Sequence, residues 1–250
     1  MKNKYVFFAL LVCIALLPSC NKKYKNSDGS SYSNNKGVGG SANDLLSESK
    51  YSSIKIEIQY MAGFAPDASA VNLLKDFLTA RLNKSVGITV VQKEIPASSN
   101  GTLTVQQVAD IEKENRTVFT TDKELGVYFL FTNGGYSNAN VLGVAYNNTS
   151  MCLFGKTIND NSGNVGQASR TKLTATVLEH EFGHILGLVD VGSKMQTNHK
   201  DSPNGAHCNN KDCLMYYAVE TTDVLGFLIT GNIPTLDANC LADLKLNGGK

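Results

Sequence analysis

Two histidines and a glutamate, His180, Glu181 and His184, stand together in one apolar stretch of the chain. Histidines four residues apart lie on one face of a helix, so both imidazoles can bind the same metal ion. The Glu181 carboxylate can reach a water molecule on that ion but not the ion itself. Zinc lowers the pKa of such a water to about 7, and the carboxylate takes its proton during attack on a carbonyl group. The pattern therefore predicts one zinc ion, two histidine ligands and a general base.

The residues around this pentapeptide favour a metal site over a surface salt bridge. The segment contains two of the chain's 4 histidines. Polar side chains that face a core need partners, and a metal ion would supply them. The surrounding apolar residues, which indicate that this segment faces the core, are Val177, Leu178, Phe182, Ile185 and Leu186.

The residues downstream carry a family resemblance. Gly187 follows His184 by three residues, and Met215-Tyr216-Tyr217 comes later in the chain. In this combination the chain resembles the metzincin zinc peptidases, in which the helix breaks at such a glycine and a Met-turn lies beneath the zinc ion. The resemblance implies that Met215 is the Met-turn methionine. It also implies that Tyr217, or Tyr216 beside it, donates a hydrogen bond to the oxyanion.

Two residues compete for the third ligand position of this pattern. Metzincins carry a histidine or an aspartate three residues after the glycine, and that position here is Asp190. His207 lies eight residues before Met215, the interval found in matrix metalloproteinases and archaemetzincins. Archaemetzincins also share the H-C-x4-C-x-M pattern, which favours His207 with an insertion inside residues 189–206. His199 is a third candidate with less support. The second cysteine pair of archaemetzincins, C-x-x-C, is absent, so the resemblance implies a single zinc ion.

The chain has 6 cysteines, and four of them lie in the predicted domain. Four cysteines in an oxidising compartment permit three pairings, which the sequence does not settle. Cys208 and Cys213 are close in the chain and are the favoured disulfide. Cys152 with Cys240 would follow by elimination.

The N-terminus predicts export. Lys2 and Lys4 precede an apolar run over residues 5–17, which is typical of a signal peptide spanning 1–19. Cys20 follows at a position that resembles the lipobox of bacterial lipoproteins. The resemblance implies a lipid on Cys20 and attachment to a bacterial membrane. We expect the outer membrane, because the second mature residue is not aspartate. The alternative is an ordinary secretory signal in which Cys20 is incidental.

Residues 20–50 are rich in Ser, Asn, Gly and Lys, which predicts a flexible tether. Residues 51–250 alternate strands with helices, which predicts one α/β domain. With the resemblance, this is a metzincin-like catalytic domain, with a mixed twisted sheet, an active-site helix and a C-terminal Met-turn and helix subdomain. The predicted strands are 54–58, 87–95, 126–132, 141–147 and 151–158, and the predicted helices are 66–82, 104–111, 170–188 and 236–246.

Charge adds little about partners. The 23 basic and 22 acidic side chains leave a net charge of +1, and the sequence has no basic patch that would indicate a nucleic-acid partner.

Taken together, the motifs predict a monomeric zinc endopeptidase that acts on protein or peptide substrates through a Glu181-activated, zinc-bound water. The rival hypothesis is a zinc-containing surface or periplasmic binding lipoprotein without turnover. An intact Glu181 argues against the rival, because a binding protein needs no base beside its ligands.

Overall fold

The computed structural model describes residues 31–250, so the predicted signal peptide and Cys20 lie outside the described part of the chain. The strands in this part are β1 (Ser53–Met61), β2 (Gly87–Ile95), β3 (Thr102–Leu103), β4 (Glu124–Thr132), β5 (Gly135–Tyr136), β6 (Gly143–Asn147) and β7 (Ser150–Phe154). They form a five-stranded sheet, in the order β2-β1-β4-β7-β6, and a two-stranded sheet of β3 and β5.

The larger sheet is mixed. Strand β1 pairs in parallel with β2 and β4, and β4 pairs in parallel with β7. Only the edge strand β6 runs antiparallel to its neighbour, β7. The central strand β4 is buried along nearly its whole length, as its continuous apolar sequence predicts for a strand covered on both faces.

Helices cover both faces of this sheet. They are α1 (Ala42–Leu46), α2 (Ala68–Thr79), α3 (Val105–Asn115), α4 (Gly155–Asp160), α5 (Arg170–Ile185), α6 (Leu225–Thr230) and α7 (Ala238–Leu246). Helices α2 and α5 pack together over one face, where their apolar side chains meet those of β1 and β4. Helix α3 covers the other face through Val108.

The predicted α/β class is confirmed, and the differences lie at element ends. The predicted strand 151–158 is a shorter strand, β7, followed directly by α4. Helix α5 ends at Ile185 rather than residue 188. The reason is Gly187, which has a φ of +77°. That left-handed conformation suits glycine and ends the helix.

Part of the predicted tether belongs to the domain, so that prediction needs a correction. Residues Leu45 and Leu46 of α1 are fully buried in the main core. The Lys84 ammonium group donates hydrogen bonds to the carbonyls of Asp44 and Tyr51, at 2.8 and 2.7 Å. The polar composition of residues 20–50 conceals these few apolar residues, which suffice to dock the segment.

Among the described residues, no α-helix has both the length and the hydrophobicity that a membrane span requires.

Candidate metal centre

Helix α5 places His180, Glu181 and His184 in the interior of the protein, where their exposed fractions are only 0%, 1% and 6%. The Nε2 atoms of His180 and His184 are 3.1 Å apart. The pairing follows from helical geometry, since residues four apart share one face. The two histidines thus face one common point.

Beyond α5 the chain turns back sharply. A Cβ atom on Gly187 would lie 2.5 Å from the backbone nitrogen of Ser193, so only glycine fits there. The Ser193 hydroxyl donates to the carbonyl of Leu186 at 2.7 Å and closes the turn. Asp190 follows with a φ of +70°. Its side chain is 55% exposed and pairs with Lys200 at 3.3 Å, so the structure does not bring Asp190 to the histidines.

The structure brings His207 to them instead. Its ring centroid lies 5.3 Å from that of His180 and 5.0 Å from that of His184. The Nε2 atom of His207 is buried without a hydrogen-bond partner. The loop over residues 189–206 thus places a third imidazole, that of His207, at the point where His180 and His184 converge.

Glu220, a residue that the sequence analysis missed, completes the group. It ends a 3-10 helix over Tyr217–Glu220. Its Oε2 atom lies 3.4 Å from Nε2 of His207, 3.8 Å from Nε2 of His180 and 4.0 Å from Nε2 of His184. Burial alone would raise the pKa of Glu220, but the contacts with His180 and His207 outweigh burial and hold it below its usual range.

The hydrogen bonds of the imidazoles orient their free nitrogens. The Nδ1 atoms of His180 and His207 donate to the carbonyls of Leu214 and Asn204, each at 2.7 Å. A carbonyl can only accept, so Nδ1 carries the proton and Nε2 presents a lone pair. Burial, followed by the neighbouring His180 and His207, lowers the pKa of His184 well below its usual range. Neutral imidazole lone pairs that converge with a carboxylate form a donor set suited to zinc.

Glu181 lies beside this donor set and is held by strand β6. Its Oε2 atom accepts a hydrogen bond from the Ala145 N–H at 2.6 Å, and its Oε1 atom is buried without a partner. A Cβ on Gly143 would lie 3.0 Å from that Oε1 atom. Burial, and then the charge of Glu220, raise the pKa of Glu181 well above its usual range. The open oxygen is therefore free to bind a proton from a reactant.

Comparison with known proteins identifies the family. The family model Reprolysin_5, described as metallo-peptidase family M12, matches residues 51–227. The chain belongs to metallo-peptidase family M12. No curated protein matches it.

Two solved structures are similar to this M12 chain. Archaemetzincin from Methanopyrus kandleri aligns with a TM-score of 0.54 and 14% identity, over 78% of this chain and 96% of that one. Metalloproteinase-II from Bacteroides fragilis aligns with a TM-score of 0.44 and 13% identity, over 81% of this chain and 55% of that one. The first likeness confirms the expected peptidase fold. The family makes this chain a zinc-dependent peptidase.

The predicted Met-turn segment lies directly beneath α5. Met215 is fully buried, and a Cβ on Gly183 would collide with its sulfur atom. The preceding residue, Leu214, supplies the carbonyl that orients His180. Tyr217 begins the next turn, with its ring 4.6 Å from that of Tyr216. Its role as an oxyanion donor stays a prediction.

The predicted disulfides are not formed in the structure. Cys152, Cys208, Cys213 and Cys240 are all buried free thiols. Cys152, on β7, packs in the smaller core that also contains Val108 of α3, whereas the other three lie in the main core. Pairing by elimination assumed that every cysteine has a cysteine partner, which this fold does not provide. His199, the weakest candidate for the third ligand, lies beside Cys208 instead, with 3.4 Å between Nδ1 and Sγ.

Proposed function

We propose that this M12 chain is a zinc endopeptidase, with His180, His184 and His207 as zinc ligands and Glu181 as the general base. The observation that carries the proposal is the convergence of three buried imidazole nitrogens beside a carboxylate with one open oxygen. Bound zinc would polarise the peptide carbonyl and lower the pKa of a water molecule.

The residues around the ion would transfer the protons and stabilise the oxyanion. Glu181 takes a proton from the attacking water at Oε1 while the oxygen of that water bonds to the peptide carbon. The same carboxyl group then delivers the proton to the leaving amide nitrogen as the carbon–nitrogen bond breaks. The Ala145 N–H holds Oε2 in place throughout. We also propose that Tyr217 hydrogen-bonds the oxyanion, by its position two residues after Met215.

Glu220 would act as a fourth protein ligand when no substrate is bound. Its oxygen and the three Nε2 atoms all lie within 4.8 Å of one another. A catalytic zinc site must keep one position open for reactants. Glu220 would therefore withdraw when substrate binds. Its side chain is 28% exposed, so the carboxylate has solvent to withdraw into.

Cleavage within a chain, rather than at its ends, is supported by the resemblance to metzincins. The test is digestion of an unfolded protein by the purified enzyme, with the products sequenced by mass spectrometry. We expect new termini throughout the substrate, and no cleavage after removal of metal by a chelator. Products shortened only from one end would contradict the endopeptidase assignment, and no products at all would favour the binding lipoprotein.

The proposed location rests on the N-terminal sequence. We propose that the protein is exported and anchored to the outer membrane through a lipid on Cys20. Metabolic labelling with a fatty acid should mark the protein, and Cys20→Ala should abolish the label. A label that survives this substitution would contradict lipidation at Cys20.

A further inference from the structure

A second cluster of metal-binding side chains lies apart from the proposed catalytic centre. It consists of one imidazole and three thiols, all buried: His199, Cys208, Cys213 and Cys240. The Nδ1 atom of His199 lies 3.4 Å from the Cys208 sulfur and 4.0 Å from the Cys240 sulfur. The sulfurs of Cys213 and Cys240 are 3.7 Å apart. The Cys208 thiol also interacts with those of Cys213 and Cys240.

The histidine of this cluster is oriented by a buried carboxylate. Nε2 of His199 and Oδ2 of Asp243 are 2.8 Å apart, and both side chains are essentially inaccessible to solvent. Because the carboxylate accepts the Nε2 proton, Nδ1 presents its lone pair toward the sulfurs. Metal-binding histidines are commonly oriented by a carboxylate in this way. The backbone N–H of Gln196 donates to the other Asp243 oxygen at 2.7 Å, which fixes the carboxylate.

One of the three cysteines, Cys213, has donors that favour a thiolate over a thiol. The Cys213 sulfur accepts hydrogen bonds from the backbone N–H groups of Met215 and Asp237, each at 3.4 Å. Such donors stabilise negative charge on a sulfur that binds a metal. The Asp237 carboxylate also borders the cluster. Its Oδ1 atom caps α7 by accepting the Cys240 N–H at 2.9 Å, and its Oδ2 atom accepts from the Cys208 thiol at 3.3 Å and from the Asn210 amide at 3.1 Å. Zinc binding at Cys208 would replace the proton that this thiol now shares with Asp237.

We propose that His199, Cys208, Cys213 and Cys240 bind a second zinc ion, which has a structural role. A tetrahedral site with three sulfurs and one nitrogen is a common closed arrangement for structural zinc. The sequence predicted a single ion because a second C-x-x-C pair is absent. The fold supplies the other two donors from separate segments, the loop after α5 and helix α7.

The position of this ion suggests what it stabilises. Cys208 follows His207 directly, and its N–H donates to the Met215 carbonyl at 2.7 Å. Cys213 precedes the Met-turn, and Cys240 lies on α7. An ion bound to all three sulfurs would therefore tie the His207 segment, the Met-turn and the last helix together. Loss of this ion should loosen the segment that carries the third catalytic ligand.

The rival explanation is a disulfide between Cys213 and Cys240. It would leave Cys208 and His199 without a common ligand. The unmodified protein distinguishes the two, by its zinc content and by peptide mapping without reductant. We expect two zinc ions per chain and no peptide that links Cys213 to Cys240. One zinc ion together with that linked peptide would overturn the proposal.

Variants separate this site from the proposed catalytic centre. His184→Ala should lose one ion and keep the other, and replacement of that ion by cobalt should show sulfur-to-metal charge transfer. Cys240→Ser should lose one ion, and His199→Gln provides a milder test if Cys240→Ser does not fold. Cys152→Ser is the matched control, since this buried thiol lies in the other core, and it should keep both ions. A His184→Ala protein that folds without any zinc would refute the second site, whether or not the enzyme cleaves peptides.

Discussion

The two clusters of candidate metal ligands in this protein differ in donor chemistry and in the hydrogen bonds that their groups make. The catalytic cluster combines three imidazoles with Glu220, and it leaves His207 Nε2 and Glu181 Oε1 buried without hydrogen-bond partners. The second cluster combines three sulfurs with one imidazole, and Asp243 and backbone N–H groups hold its members. In the first cluster the Glu181 Oε1 atom keeps capacity for a reactant, whereas both oxygens of the Asp243 carboxylate that orients the second cluster are engaged. This contrast fits the two proposed roles, since a catalytic zinc site keeps one position open and a structural site is closed.

The largest expected effect is on Glu181, which belongs to the catalytic cluster without binding the metal. Glu181→Gln keeps the shape of the side chain but removes the base. We expect kcat/KM for peptide hydrolysis to fall by ~10²–10⁴-fold, while the zinc content stays that of the parent protein. Glu179→Gln is the matched control, because this glutamate lies on the same helix and interacts with Arg81. Equal cleavage rates for Glu181→Gln and the parent would disprove the general-base assignment.

The next effect separates the two candidates for the third ligand. His207→Ala should weaken zinc binding by more than the ~10–100-fold typical for loss of an outer hydrogen-bond partner. Asp190→Asn should leave the affinity unchanged, since Asp190 pairs with Lys200 on the surface. Titration against a competing chelator measures both. If Asp190→Asn weakens binding and His207→Ala does not, the ligand assignment must be reversed.

A smaller effect is expected at Glu220. Glu220→Gln removes the negative charge that faces the three imidazoles, so zinc affinity should fall by about tenfold, a loss of roughly 1.4 kcal/mol. The catalytic constant should be retained, because Glu220 must withdraw before substrate binds. Asp223→Asn provides a control on the exposed residue of the following 3-10 helix. An unchanged zinc affinity would show that Glu220 is not a ligand.

The smallest effect is a shift in pH dependence. Burial and the charge of Glu220 raise the pKa of Glu181, and only the ionised carboxylate can accept a proton. The rate should therefore fall as the pH decreases through this raised pKa. Glu220→Gln removes the negative charge that helps to raise the pKa of Glu181. The acidic limb of the pH profile of kcat/KM should therefore move to lower pH in this variant. The profile is measured at saturating zinc, and a limb that stays in place would contradict the coupling between the two carboxylates.

Local spacing explains which site residues the sequence could predict. His180 and His184 are related by helix geometry alone. Gly187 is predictable because it lies three residues after His184, where the chain must turn out of the helix. His207 required a resemblance, through its interval to Met215. Glu220 carries no such signal, because only the packing of the 3-10 helix against α5 brings it to the site.

Long-range contacts explain what the sequence analysis missed. His199 and Asp243 meet although they are 44 residues apart, a pairing that no local pattern reveals. The Cys208–Cys213 disulfide was predicted from closeness in the chain, but both thiols are free, and the fold adds His199 and Cys240 to their group. Residues 31–50 contain too few apolar side chains for composition to reveal that they dock.

The most direct test of the catalytic centre is an anomalous difference map from zinc-loaded crystals. We expect a peak within bonding distance of Nε2 of His180, His184 and His207, about 2.0–2.1 Å from each nitrogen. A peak bonded to Asp190, with His207 turned away, would contradict it.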